Sequence, residues 1–269
     1  MKKFKKLLVY TSSSFLNKSE TSRILKYLEK LCSYLDTYAL EKLNNNVANK
    51  KYDLVLSIGG DGVFISASKY AYKKSIPVLG LNFGRIGFLA DLDKKELQSK
   101  MSKILNGNYI VDKRTMLSGT VYSSGGVNKS ISLNDIVVNN CGKLKMIETD
   151  VFVNKNLITK QRSDGVIVST PTGSTAYAMS NGCPIVSPKS NVICIVPIAP
   201  HSYGQRSIII NSSDKVTIKI NKKSIKHSQV TFDGANNLTI KNPEIVEIKK
   251  ANRVLNIIHP CDYDYFKAL

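Results

Sequence analysis

The chain has 269 residues, 42% of them hydrophobic, which is enough for one large domain or two ordinary ones with real cores. No apolar run approaches the roughly 20 residues that cross a bilayer, which excludes a membrane-spanning helix. The formal net charge of +19 asks for an anionic partner.

Nucleic acid is one such partner. The lysines, however, fall mostly in pairs scattered along the chain, from Lys2-Lys3 and Lys5-Lys6 to Lys249-Lys250, and no long basic block interleaves with aromatics. Solvated faces account for that pattern, and a small polyanionic substrate would profit from the same field. The opening MKKFKKLLVYTSSSF resembles a signal peptide, but its apolar part is only LLVY before TSSS breaks it, so it reads as a cytosolic first strand. Cys32, Cys141, Cys183, Cys194 and Cys261 form no C-x-x-C pair, which points to reduced thiols in a reducing compartment. His201, His227 and His259 lie too far apart for metal-ligand spacing.

Residues 4–11 (FKKLLVYT) read as a strand. Over 19–35, Ile24, Leu25, Leu28, Leu31 and Leu35 recur at helical spacing, with Ser19 placed to cap the helix. KYDLVLSI (51–58) is a continuous apolar strand of the kind covered on both faces. A helix over 63–74 and a strand over 75–82 complete a βαβ crossover, so the sheet is expected to be parallel and doubly wound. A helix over 93–107, ended by glycine, marks the domain boundary, set at residue 98. Beyond it the pattern changes. A hairpin turned by Gly125-Gly126 comes first. KVTIKIN and the stretch around VTFDG follow with period-two alternation, and NPEIVEIKKANRVLNIIHP continues in the same style. These predict an all-β, sandwich-like second domain with one helix embedded near 174–181.

Three stretches carry chemistry. In LVLSIGGDGVF a strand ends in Gly59-Gly60-Asp61-Gly62 and flows into a helix, aiming backbone N–H groups and the helix dipole outward. It is neither a P-loop nor the G-x-G-x-x-G fingerprint. One reading is a tight turn with Asp61 as helix cap; the other is a ligand turn, where glycines let a phosphate approach the backbone. In ISLNDIVVNN, Asn134 and Asp135 interrupt an apolar strand. They are either an edge-of-strand turn or a ribose clamp, since a carboxylate accepts from sugar hydroxyls and an amide both donates and accepts. RSDGVIVSTPTGSTAYAMSNGCPIV (162–186) is the most specific of the three. Its five hydroxyls, Ser169, Thr170, Thr172, Ser174 and Thr175, are expected to form a polar surface at a helix start. Tyr177 is placed to stack on a base, and Ala176 lets the base come close. A well-capped helix is the plainer account.

In order and spacing, GGDG (59–62), ND (134–135) and DGVIVSTPTGSTAY (164–177) resemble the NAD kinase family. NFGRIGFLAD (82–91), PIAPHS (197–202) and FDG (232–234) resemble its further landmarks. The resemblance runs from about residue 5 to 260. It implies a Rossmann-like, phosphofructokinase-like α/β domain at 1–98 and a β-sandwich-like NAD-binding domain at 99–255, with 256–269 returning to the first domain. It implies transfer of the ATP γ-phosphoryl group to the adenosine 2′-hydroxyl of NAD, with a divalent cation such as Mg²⁺ accompanying ATP. Asp61 is then the general base. Gly59, Gly60 and Gly62 face phosphate, with Arg85 beside them. Gly62 also borders the NAD site with Phe88, Asn134, Asp135, Lys145, Arg162, Asp164, Thr172, Thr175, Ala176, Tyr177, Ala178, Met179 and Ser180. The family implies a cytoplasmic dimer or tetramer. Departures are Val63, where a threonine is usual after GGDG, Asp135 for the usual glutamate, and Ser163 for a frequent glycine. The competing readings are a related GGDG-type kinase acting on a lipid or sugar, and a non-catalytic protein that binds NAD or nucleic acid.

Overall fold

The structure is a computed structural model that describes residues 3–16, 19–40, 50–82, 89, 92–142, 145–202, 204–234 and 239–268. The chain divides into two compact units: Met1–Lys113 with Leu255–Leu269, and Arg114–Val254.

The first unit is built on one sheet. Its strand order is Tyr34–Ala39, Lys6–Thr11, Leu54–Ile58, Val78–Asn82, Leu255–His259 and Ile110–Arg114, with Leu92–Asp93 paired to Val78–Asn82. The first four strands run parallel. The strand Leu255–His259 returns from the far end of the chain and pairs parallel with Val78–Asn82. Leu54–Ile58 and Val78–Asn82 are buried at every position, as a covered parallel sheet requires. On one face Leu54, Leu56 and Ile58 pack with Ile24 and Leu28 of the helix Ser19–Leu31 and with Met101 and Ile104 of the helix Leu97–Leu105. The helix at 97–105 therefore belongs to the first core. The helix Asp61–Lys74 buries Val63, Phe64, Ala67, Ser68 and Ala71 against the sheet.

One element differs from the periodicity. The helix begun at Ser19 ends at Leu31, and Tyr34–Ala39 forms an edge strand in register Lys6↔Tyr34 to Thr11↔Ala39. Leu35 fits a helical repeat, but Tyr34, Thr37 and Tyr38 favour an extended chain, and the open edge of Lys6–Thr11 supplies the pairing that decides it.

The second unit is two six-stranded antiparallel sheets. One runs Asn156–Ser163, Ile147–Val153, Val216–Ile220, Pro243–Lys250, Leu117–Ser123, Gly126–Ser132. The other runs Ile208–Asn211, Val192–Ile198, Gly165–Ser169, Asp135–Asn139, Gln229–Phe232, Ile240–Lys241. Inward residues from both sheets, among them Val121, Ile218, Ile136, Val168 and Phe232, form one sandwich core. The second sheet is covered on its other face too. There Val137, Ile167 and Val196 pack against Ala178 of the short helix Tyr177–Ser180. Helix and sheet together place the 169–180 segment over the start of Asp135–Asn139.

Candidate functional site

The glycine turn in the first unit is shaped by one glycine and left open by two. Gly59 sits at φ +152°, and a Cβ there would lie 2.8 Å from Val63 Cγ2. Glycine is needed at 59 for conformation and for space, and Val63 is the residue that fills that space. Threonine would offer the same Cβ and Cγ2 here, so nothing in the structure explains the missing hydroxyl at 63. Gly60 and Gly62 differ: a Cβ at either would meet nothing within 4 Å among the described residues. Packing inside the unit gives no reason for their bareness, which leaves the backbone open to a ligand. The helix cap is Gly60, with no side-chain cap bond, and Asp61 is the first helical residue. Asp61 is therefore no cap. Its half-buried carboxylate stands in the first turn of a 14-residue helix, where the dipole favours its charge.

In the second unit, Asn134 and Asp135 lie where the strand Gly126–Ser132 has ended and Asp135–Asn139 begins. The break lets neighbouring residues escape the strict up-down alternation of a strand. The backbone of this turn is held from both sides. Asp233 Oδ1 accepts the N–H groups of Asn134 (2.7 Å) and Asp135 (3.2 Å), and Oδ2 accepts that of Leu133 (3.1 Å). Opposite, Thr170 Oγ1 donates to the Leu133 carbonyl at 2.6 Å, while Thr170 N–H (2.8 Å) and Ser169 Oγ (3.2 Å) donate to that of Asn134. A Cβ on Gly173 would lie 2.2 Å from the Asn134 carbonyl oxygen, so the loop comes against the turn closely enough to require glycine.

This corrects the expectation of a hydroxyl-rich surface. Ser169, Thr170 and Ser174 are fully buried. Ser174 Oγ donates to Pro171 O (2.7 Å) and accepts from Val186 N–H (2.9 Å). Thr172 Oγ1 accepts from the buried Arg114 Nη1 at 3.2 Å, and Thr175 Oγ1 donates to Thr172 O. The hydroxyls brace the loop, because a buried backbone without regular pairing must find its partners in side chains.

The surface presented outward is a cavity of about 370 Å³ lined by Asn134, Asp135, Val137, Asn139, Ala176, Tyr177, Thr231, Asp233 and Gly234. Four of the residues expected at the site, Asn134, Asp135, Ala176 and Tyr177, meet there. Asn134 Oδ1 and Asn139 Oδ1 are both buried with no hydrogen-bond donor among the described residues. Two buried acceptors lacking donors among the described residues are costly unless water or a ligand supplies N–H or O–H groups. Arg162 lines a different cavity, of about 410 Å³, with Glu148, Asp150, Lys160, Lys219 and Asn221. Among the described residues no ion pair joins Arg162 to Asp164; Asp164 Oδ1 instead accepts from Asn140 Nδ2 at 3.0 Å. Lys145, Met179 and Ser180 are exposed, and the Ala178 side chain points into the core. Phe88 and Arg85 lie outside the described residues, as does most of the loop 82–91. Asn139 and Asp233 were not foreseen. Asn139 is a polar residue on the same strand face as Asp135, at i+4, and Asp233 is the acid of the FDG landmark.

A parallel α/β unit with an acid-bearing glycine turn, followed by a β-sandwich unit with an acceptor-rich cavity, defines a protein of the nucleotide-handling class. Family profiles described as the ATP-NAD kinase N-terminal domain and the ATP-NAD kinase C-terminal domain match residues 2–109 and 133–260. The NAD kinase of Legionella pneumophila (strain Corby) is 33% identical over 284 residues, covering 99% of this chain and 95% of that protein. The NAD kinase of Coxiella burnetii (strain RSA 493 / Nine Mile phase I) is 39% identical over 242 residues, 90% of this chain and 81% of its own length. The chain belongs to the ATP-NAD kinase family. Two solved structures share its fold. Yeast NADH kinase complexed with NADH matches with TM-score 0.84 at 20% identity, over 100% of this chain and 87% of that one. An NAD kinase from Archaeoglobus fulgidus in complex with ATP matches with TM-score 0.78 at 24% identity, over 98% and 96%.

Proposed function

We propose that this chain is an NAD kinase that transfers the γ-phosphoryl group of Mg-ATP to the adenosine 2′-hydroxyl of NAD. The observation that carries the reading is the cavity at Asn134 and Asp135. An aspartate and two asparagines among its lining residues suit the hydroxyl and amino groups of a nucleoside. Asn134 and Asp135 take the ribose diol, Ala176 and Tyr177 border the base, and Thr172, Thr175, Ala178, Met179 and Ser180 carry that wall. In this reading Asp164 lines the NAD site and Lys145 and Arg162 serve its charged groups, Arg162 from the separate cavity that it lines. Gly59, Gly60 and Gly62 take phosphate.

Phosphoryl transfer asks for positioning and charge neutralisation more than for covalent chemistry. A divalent cation accompanying ATP would neutralise charge on its phosphates, with Gly59, Gly60 and Gly62 as the residues beside them. Asp61 accepts the 2′-hydroxyl proton as that oxygen bonds to the γ-phosphorus and the bond to the β-phosphate bridging oxygen breaks, releasing ADP. A carboxylate base in hydrogen-bond reach contributes about 10²–10⁴-fold. The five free cysteines suit a reducing compartment such as the cytoplasm. Self-association to a dimer or tetramer is part of the reading; the exposed Ile208 and Ile209 on an edge strand offer apolar surface for it, and light scattering tests it.

The test is incubation of the purified protein with Mg-ATP and NAD, with NADP measured by an NADP-specific dehydrogenase. ATP-dependent NADP formation is expected. Binding of NAD or nucleic acid without product would contradict the reading, and so would phosphorylation of a lipid or sugar in its place. Arms with polyphosphate and with NADH define donor and acceptor range.

A further inference from the structure

We propose that Asp233 is the positioning residue of the dinucleotide cavity, fixing the Leu133–Asp135 backbone and so aiming Asn134 and Asp135 at the ribose. The inference rests on the reading of that cavity given above. It stands on three hydrogen bonds from one carboxylate to three consecutive backbone N–H groups, at 2.7, 3.1 and 3.2 Å. Bonds to an ionised acceptor are the strong kind, and three of them fix the direction of a turn. The contact is reciprocal, since Asp233 N–H donates to the Asp135 carbonyl at 3.0 Å.

The local chain is shaped for this. The strand Gln229–Phe232 ends in Phe232, fully buried and responsible for the packing. Asp233 and Gly234 then take φ of 56° and 63°. That left-handed step turns the carboxylate back on the neighbouring strand Asp135–Asn139, and aspartate is among the few non-glycine residues that adopt it. With Ser169 and Thr170 holding the carbonyls of Leu133 and Asn134, both polar sides of the turn backbone are occupied by protein. Asn134 and Asp135 both line the cavity. Asp233 thus acts through its neighbours: the residues that touch the sugar lie a hundred positions away in sequence, and it sets their direction.

Two substitutions avoid backbone strain at positive φ. Asp233→Gly removes the carboxylate, and Asp233→Asn keeps one oxygen for the two N–H groups that Oδ1 serves. With Mg-ATP and NAD as substrates, Asp233→Gly is expected to raise KM for NAD about tenfold and Asp233→Asn about threefold, with KM for ATP unchanged. In the background of Asn134→Ala, adding Asp233→Gly is expected to cost far less than it does alone, because both act on one contact. A merely structural role would lower the unfolding midpoint and leave KM for NAD as it was, which overturns the proposal. An additive double variant overturns it too. If Asn134→Ala raises KM for NAD and Asp233→Gly does not, the clamp fails while the cavity reading stands. If neither Asn134→Ala nor Asp135→Ala raises it, the cavity reading fails and takes the clamp with it.

Discussion

The turn at 59–62 and the turn at 133–135 solve opposite problems. In the first, among the described residues, only Gly59 is fixed by its neighbours; a Cβ on Gly60 or Gly62 would touch none of them. In the second, almost every backbone polar group is met by Asp233, Ser169 or Thr170, and Gly173 is pressed against it. Where neighbours fill the space, they dictate the residue. Where no described neighbour fills the space, as at Gly60 and Gly62, the proposed reading assigns it to the ligand. The same division is expected to separate residues whose loss unfolds the protein from those whose loss stops the reaction.

Substitutions break that comparison at different strengths. Gly173→Ala and Gly165→Ala place a Cβ 2.2 and 2.3 Å from backbone carbonyl oxygens of Asn134 and Val138. Neither carbonyl is free to swing, so each change is expected to cost at least about 3 kcal/mol in urea unfolding. Gly59→Ala meets the Val63 side chain and an unfavourable φ, for about 2 kcal/mol and a distorted turn. Adding Val63→Ala makes room for the new methyl and is expected to recover part of that loss, which a purely conformational penalty would not permit. Next come the cavity residues: Asn134→Ala and Asp135→Ala are expected to raise KM for NAD about tenfold with unfolding unchanged within about 1 kcal/mol. Gly60→Ala and Gly62→Ala sharpen the contrast, since they should fold as well as the parent and lose turnover. If instead they destabilise like Gly59→Ala, the turn is shaped by packing alone.

The smallest effect is expected far from both turns. Burial pushes the Asp36 carboxyl up, but hydrogen bonds from Tyr52, Lys50 and Tyr34 outweigh it and hold its pKa below the usual carboxylate range. A depressed acid contributes stability that is complete above its unfolded pKa and is lost as pH falls through the folded one, so the loss lies below about pH 4. Asp36→Asn should flatten acid unfolding in that window by less than about 1 kcal/mol and leave NADP formation alone.

Much of the fold and of the candidate site was legible in the sequence because the candidate residues interrupt local patterns. Glycines and an acid end the apolar run at Ile58, and Asn134-Asp135 breaks the next. The parallel sheet was readable from continuous apolar strands, and the sandwich from period-two alternation. The edge strand Tyr34–Ala39 was not, since Leu35 continues a helical repeat and only the partner strand overrules it. Nor was the spending of the 169–175 hydroxyls, because a list of serines and threonines does not say which backbone groups lack partners. Asp233 reaches a turn a hundred residues away, and no local signal announces such a bond. Val63 fills the space beside Gly59 through atoms that a threonine shares, so its missing hydroxyl has no structural explanation.

The central claim is that Asp61 is the group that takes the proton, and Asp61→Asn tests it most directly, with NAD affinity by calorimetry and NADP formation measured on the same preparation. The account predicts NAD binding within about twofold of the parent and a rate lower by at least about 10². Near-parental NADP formation by that variant would contradict it.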